Sequence, residues 1–328
     1  MRTRWRARAV LTTALLLLAG AASGLRAQGV SESIQLLATR DTRLYLHPVA
    51  TGLGASLNSS WFRSARVHEP FHFDVGIAAM GALVPSVDNT FRPILPDTLT
   101  FQGRLYRDPY GAGPGPATPT AVGPGKGVTI DPQGDFRQAL IAAGSDPSSY
   151  ALPFPNGYDI PAIPMAVIQA RAGLPFGNEL TVRWLPSITV DQDLGAVRSF
   201  GVGLKHSVSH WIPGFPIDVA VEGGLQSIHV GDYLTGSARN AALIVGRDFS
   251  VLSLFAAGQL EHSDVTIRYT IDNPNLPGDR LRETVHDQGD NSSRLVAGLS
   301  LDFFIVKLTA SYTQSSYNVV SAGISFGY

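Results

Sequence analysis

The chain of 328 residues contains no cysteine. That excludes a disulfide scaffold, a thiolate zinc site, a cysteine nucleophile and a lipidated N-terminal cysteine. Charge is also scarce. Charged residues make up 16% of the chain, against about 25% in ordinary soluble domains, so much of the surface does not face water. Lys+Arg 25 against Asp+Glu 26 leaves no basic excess, and no nucleic-acid partner is expected. After the first segment there is no apolar run of the roughly 18 residues that a membrane-spanning helix needs.

The near-neutral balance averages two unlike parts. Arg2, Arg4, Arg6, Arg8 and Arg26 lie in the first 27 residues, which hold no acid; without them 20 basic face 26 acidic residues, a net of −6. An Arg-rich start, an apolar stretch from Ala9 to Leu18 and a small-residue stretch up to Ala27 follow the order of a bacterial secretory signal. Cleavage is expected between Ala27 and Gln28, with Ala21 as the alternative because Leu25 stands at the −3 position. The mature protein is then exported.

The mature chain is filled with period-two alternation, the signature of strands with two unlike faces. Phe71, Phe73, Val75, Ile77 and Ala79 share one parity. So do Phe200, Val202, Leu204 and Val208, then Leu252, Leu254, Ala256 and Leu260, and Phe304, Val306, Leu308, Ala310 and Tyr312. These parities carry no Asp, Glu, Lys or Arg, and the polar faces opposite such runs are mostly Gly, Ser and Thr with a few charges. A soluble sandwich would stud its polar face with Lys and Glu. A membrane barrel excludes charge from the lipid face, where Arg or Lys at the midplane costs about 2–4 kcal/mol, and lines a wet lumen with the other.

The last strand, Val320 to Tyr328, alternates down to Phe326 and the terminal Tyr328, and resembles the C-terminal strand by which the barrel-assembly machinery recognises its clients. The expected architecture is therefore all-β: an up-and-down antiparallel transmembrane barrel over 49–328, in the outer membrane of a Gram-negative-type bacterium. Eleven strands can be tallied from Gly52 onward; because such barrels use even numbers, twelve is the expected count and fourteen the next.

Connections predict alternately short and long turns, with Asp272 to Arg280, Gly231 to Ser237 and Pro186 to Leu194 as the long ones, and a bulge at His262-Ser263-Asp264. From about 85 to 164 the alternation stops in a Pro/Gly-rich loop without evident elements. Before the barrel, residues 28–48 hold a short amphipathic helix, Ser31 to Leu46, stopped by Pro48, a candidate lumen hatch.

The segments 55–61, 84–86, 119–124 and 180–186, and above all Gly201-Val202-Gly203-Leu204-Lys205-His206 followed by Trp211-Ile212-Pro213, resemble an uncharacterised domain-of-unknown-function family of outer-membrane barrels. The resemblance covers nearly the whole mature chain and implies a location but no ligand or catalytic residue. A vaguer architectural likeness is to the fatty-acid outer-membrane transporters.

Candidate chemistry is thin. His206 and His210 on a strand would stand about 13 Å apart, too far to share a metal. Ser207, Ser209 and His262-Ser263 lack a G-x-S-x-G context for a lipid hydrolase. The Gly123 to Gly127 run lacks phosphate-loop spacing. Asp287, Asp290 and Asn291 could offer oxygens to calcium but read more plainly as an acidic loop. No cofactor, metal or catalytic residue is expected. The inward parity is more informative: Arg171, Arg183, Lys205, Arg268, Arg294 and Lys307 against Asp74, Glu179, Asp218, Glu222, Glu261 and Asp302. Of these, Arg268 is set apart as able to lie above the membrane zone, and the other eleven are the lumen-facing candidates. Balanced signs do not make a ring of one charge that would select ions. The expected function is a passive or substrate-selective channel for a small solute. A barrel-embedded lipid-modifying enzyme and a closed surface-contact barrel are the alternatives.

Overall fold

A computed structural model describes residues 39–191, 195–212, 214–272 and 280–327. The expected signal and its cleavage point at Ala27 and Gln28, the start of the expected helix, and Tyr328 lie outside these residues. Among the described residues a helix, α1 (Thr39–Leu57), precedes the sheet. The wall strands are β1 (Phe73–Leu83), β2 (Ala162–Leu174), β3 (Asn178–Asp191), β4 (Gly195–Ser207), β5 (Asp218–Val230) and β6 (Leu234–Phe249). They continue as β7 (Leu252–Asp272), β8 (Arg280–Gln288), β9 (Ser293–Phe303), β10 (Val306–Gln314) and β11 (Val319–Gly327).

Neighbouring wall strands pair antiparallel, β8 and β9 excepted, and β1 returns to β11 from Asp74↔Gly327 to Ala82↔Val319, which closes the barrel. β8 pairs with the far half of β7 and β9 with the near half, so the two run end to end as one stave. The barrel thus has ten staves rather than twelve or fourteen. The tally from Gly52 is too high because 52–57 continues the helix instead of starting a strand.

Helix α1 lies inside the barrel. It passes through Pro48 and ends eleven residues after Leu46; proline forfeits one helical hydrogen bond, and enclosure by the wall overrides that local preference. Its small residues explain how it fits. A Cβ on Gly52 would stand 2.5 Å from Ile163, and one on Gly54 2.0 Å from the Ser263 hydroxyl, so a bulkier helix would not enter.

The two ends of the barrel differ. One carries both termini of the sheet (Phe73 and Gly327) and is called the turn end; the other carries residues 84–161 and the β7–β8 hairpin and is called the loop end. The long connections are fewer than expected: β3 runs on through Pro186 to Asp191, and the turn after β5 is short, whereas the turn-end link from β4 to β5 spans 208–217. Residues 84–161 are not without elements. They form three two-stranded ladders, a helix α2 (Gly134–Ala142) and a small core of Leu95, Tyr106, Tyr110, Ile130, Phe136 and Leu140 that caps the loop end.

The outer face reads as a lipid belt. Leu243, Val245, Leu254, Leu260, Leu295, Leu299, Val320 and Ile324 are all exposed there. Phe71, Phe73, Phe176, Trp211, Phe215, Phe249, Phe303 and Phe304 crowd its turn-end rim. On β6 the outward Arg239 and Arg247 bound the apolar stretch, and Arg247 lies over the Phe249 ring. Along β7 the outward face is apolar from Leu252 to Leu260 and polar from His262 on. Nine residues at about 3.4 Å, tilted some 40°, give a band about 23 Å tall, close to the roughly 25 Å of an outer-membrane barrel.

Above that band the polarity inverts. β7 keeps odd residues inward as far as Ile267, but they change from Gln259 and Glu261 to the buried Val265 and Ile267, while Asp264 and Arg268 point outward. Arg268 is therefore not a lumen residue. β7 has no bulge at 262–264, its register with β6 being unbroken. The extra residue sits on the facing stave, where Gly289 to Ser292 opposes Glu261 to Ser263 and the inward parity slips from Asp287 to Arg294. Beyond the lipid, the wall packs like a soluble barrel around the first half of α1, in a core with Tyr45, Leu46, Leu53, Val265, Ile267 and Val285.

Candidate functional site: a charged lumen closed by a plug

The lumen faces converge on α1 and on 58–72, the strand-free segment that leads from it to β1. Of the eleven sequence-predicted lumen residues, Asp74, Arg171, Glu179, Arg183, Lys205, Glu222, Glu261, Arg294 and Lys307 are buried; Asp218 and Asp302 are half-buried near the turn end. They meet the plug in four tiers.

At the turn end, Arg63 reaches Asp74 at 3.3 Å and Asp302 at 2.9 Å. His68 bridges Asp74 at 3.0 Å and Glu179 at 2.7 Å. Lys205 pairs with Glu179 at 2.8 Å and donates to the Arg66 carbonyl at 2.9 Å, and Arg171 stands 3.4 Å from Asp74. One plug segment thereby bonds to carboxylates from β1, β3 and β9.

The next tier is built on Trp61. The Arg183 guanidinium lies 3.9 Å over its ring and donates to Gln169 at 2.8 Å and Gln226 at 3.2 Å. Gln226 in turn donates to Ser199 at 2.9 Å. The ring comes this close because the wall has glycine there: a Cβ on Gly203 would stand 2.9 Å from it, and one on Gly224 3.0 Å. Glu222 is buried beside this tier with neither oxygen bonded to protein. Above, Arg294 holds Glu261, the Ser59 hydroxyl and the Ala55 carbonyl, and Gln259 donates to the Asn58 carbonyl at 2.9 Å.

At the loop end, beyond the lipid band, His47 bonds Asp287 at 2.7 Å and Asp290 at 2.9 Å, and Arg43 donates to Asp287 at 2.9 Å. The Asp287 bond raises the His47 imidazole from its ordinary value to about 9, with Asp290 adding to it against the effect of burial. Burial pushes the Asp287 carboxyl up, but His47 and Arg43 outweigh it and hold the group below its ordinary range. These acids, read from sequence as a loop that could offer oxygens to calcium, are thus engaged by cations of α1. Asn291 accepts from the Tyr317 backbone N–H at 3.0 Å. The cap grips the same helix: Tyr45 donates to the Asn156 carbonyl at 2.8 Å, and Asp41 accepts from the Ile94 N–H at 2.9 Å.

The serines weighed for hydrolysis serve the fold. The Ser209 hydroxyl accepts from the Val219 N–H at 3.2 Å and lies 3.2 Å from Ser207, and His206 bonds Asn178 and Trp211. Among the described residues there is no cluster of three or more His, Cys, Asp or Glu side chains fit to hold a metal. No described helix is long and apolar enough to cross a membrane. Sequence reasoning missed the plug's own residues, Asn58, Ser59, Trp61, Arg63 and His68. Asn58 to His72 has no periodicity; its one signal is charge and aromatics placed next to small residues.

Taken together these features define a class: a ten-staved antiparallel β-barrel with a lipid-compatible outer face, closed by its own N-terminal segment. Within that class the chain belongs to a family of unknown function, DUF6588, whose model matches residues 7–328. None of the curated proteins matches it. Among solved structures, a chain described under "Asymmetric conductivity of engineered proteins" is 14% identical over 50% of this chain and 55% of that one, with TM-score 0.18. A mutant of the Rh. blastica porin is 16% identical over the same shares, also with TM-score 0.18. The match thus spans about half the length of those chains, and the barrel architecture rests on the strand pairing of this chain itself.

Proposed function

We propose that this protein is an outer-membrane barrel that works as a gated conduit for small polar solutes, with residues 39–72 as its plug. The observation that carries this reading is how the plug is held. Through the membrane zone ion pairs and hydrogen bonds join it to the wall, beside one apolar patch where Trp61, Phe62 and Ala65 pack on Ile244, Phe255 and Val296. Water can replace the polar bonds one by one when the plug moves. An apolar jigsaw would offer no such exchange. The loop end faces outward, as in other barrels with long outer loops, and the final strand through Phe326 and Tyr328 serves recognition by the assembly machinery. Residues 1–27 act as the export signal and are removed. No catalytic step is part of this reading.

The test is planar-bilayer conductance and liposome solute uptake for the mature chain and for a variant lacking residues 39–72. The expected result is rare, brief openings in the first and sustained conductance in the second. Folded protein that conducts in neither form would overturn the conduit and favour the second reading, a closed surface-contact barrel. The specific observation behind that reading is the folded cap over the loop end.

A further inference from the structure

The plug is not centred. It presses on β4, β5 and β6, where Trp61 meets Gly203 and Gly224, and where a Cβ on Gly236 would stand 3.7 Å from Leu53 and Leu57. On the opposite side a local gap is left, between the Asp74 tier and the core in which Met80, Ala82 and Val319 pack with α1. A Cβ on the inward-facing Gly323 would meet only wall atoms within 4 Å, the nearest being the Ile77 carbonyl at 3.3 Å. Thr309 and Ser311, although inward-facing, remain half-exposed, whereas Ser199 and Ser263 on the plugged side are buried. The space between is a small cavity of about 20 Å³, room for a water molecule while the plug is seated, lined by Ser60, Gln169, Arg171, Thr309, Gly323 and Ser325 among others.

Two buried polar atoms on this side, Arg171 Nε and Ser321 Oγ, have no protein partner. Buried polar groups of this kind are satisfied by water or by a passing solute. The cavity is shut toward the turn end by Asp74 and Lys307 and toward the loop end by Thr313, Tyr317 and Val319, all buried.

We infer that the solute path runs off-axis, along this seam between the plug and the β10–β11–β1 wall, and takes a small uncharged solute bearing hydroxyl groups. The chemistry of the lining selects that class. Ser60, Thr309 and Ser325 offer hydroxyls, Arg171 offers one free N–H, and its charge is answered by Asp74. The inference rests on the conduit reading and adds the route and the substrate class.

The absence of native cysteine makes the test clean. Single variants Thr309→Cys and Ser311→Cys on the seam, and Ser199→Cys and Ser263→Cys against the plug, are reconstituted in liposomes and exposed to a small water-soluble thiosulfonate. Heat-modifiable gel migration verifies that each is folded. The seam positions are expected to react at least tenfold faster, and their modification by a bulky reagent to cut glycerol uptake severalfold while modification elsewhere does not. Glycerol uptake with equal reactivity on both sides overturns the route and leaves the conduit standing. Fast seam labelling with no uptake of glycerol or any charged solute overturns both. Uptake of small ions in preference to glycerol overturns the substrate class.

Discussion

Arg63 is the side chain whose loss bears most directly on gating. It joins the plug to Asp74, which is fully buried, and to Asp302, which is about a third exposed. In Arg63→Ala the seated plug leaves Asp74 with only His68 at 3.0 Å and Arg171 at 3.4 Å. Removing one partner of a buried pair costs about 3–5 kcal/mol; the Asp302 limb adds little because water screens it, and the two remaining cations place the cost near the lower bound. Once the plug has moved, Asp74 is hydrated and bears no such penalty. About 3 kcal/mol, at 1.4 kcal/mol per decade, then raises the ratio of unseated to seated plug roughly a hundredfold. Single-channel recording reads this as an open-time fraction raised by about two decades. Arg63→Ala combined with Asp74→Asn removes the stranded carboxylate and is expected to recover at least a tenth of that rise. A folded Arg63→Ala barrel with the parent's current trace would refute the electrostatic account of the plug.

Three further outcomes are expected from the geometry. His47, raised to about 9, stabilises the fold fully below its unfolded value near 6.5 and loses that contribution as pH climbs through 9. Asp287 is held below its ordinary range and loses its contribution as pH falls below the usual carboxylate range. The melting temperature should therefore plateau between about pH 4.5 and 6.5 and decline toward 9; His47→Gln should flatten the alkaline limb, and an unchanged limb would count against the latch. Gly203→Ala brings a Cβ to 2.9 Å from the Trp61 ring and should destabilise by about 1–3 kcal/mol, read from urea titration, whereas the outward Gly258→Ala, which meets nothing within 4 Å, should be silent. Leu243→Arg, in the middle of the lipid face, should cost about 2–4 kcal/mol in folding into bilayers, and Ser237→Arg, above it, under about 1 kcal/mol; equal costs would mean that the outer face does not meet lipid.

Much of the wall was legible in the sequence because a strand's two faces alternate residue by residue, and each here meets one solvent. Phe200, Val202 and Leu204 outward with Gly201, Gly203 and Lys205 inward needed no tertiary information. Where both faces stop meeting lipid and lumen, the rule fails. Arg268 has an inward reading only if polar means inward, and above the membrane band polar means outward. The plug was illegible for a different reason. Gly52, Gly54, Ala55 and Ser56 look like one more alternating strand, and only the tight approach of Ile163 and Ser263 requires a slender helix there.

Local alternation and low charge therefore determined by themselves the antiparallel barrel, its apolar outward face and most of the charged side chains on its inner face. The partners of those charges belong to the tertiary structure alone. Glu179 and Arg183 are far in sequence from His68 and Trp61, and although Asp74 is close in the chain to Arg63 and His68, the network they share depends on ring closure and on which wall carries glycine. Closure brings the faces of ten staves onto one axis, and the glycines of β4 and β5 draw the plug to one side, so the geometry of the lumen was decided by packing.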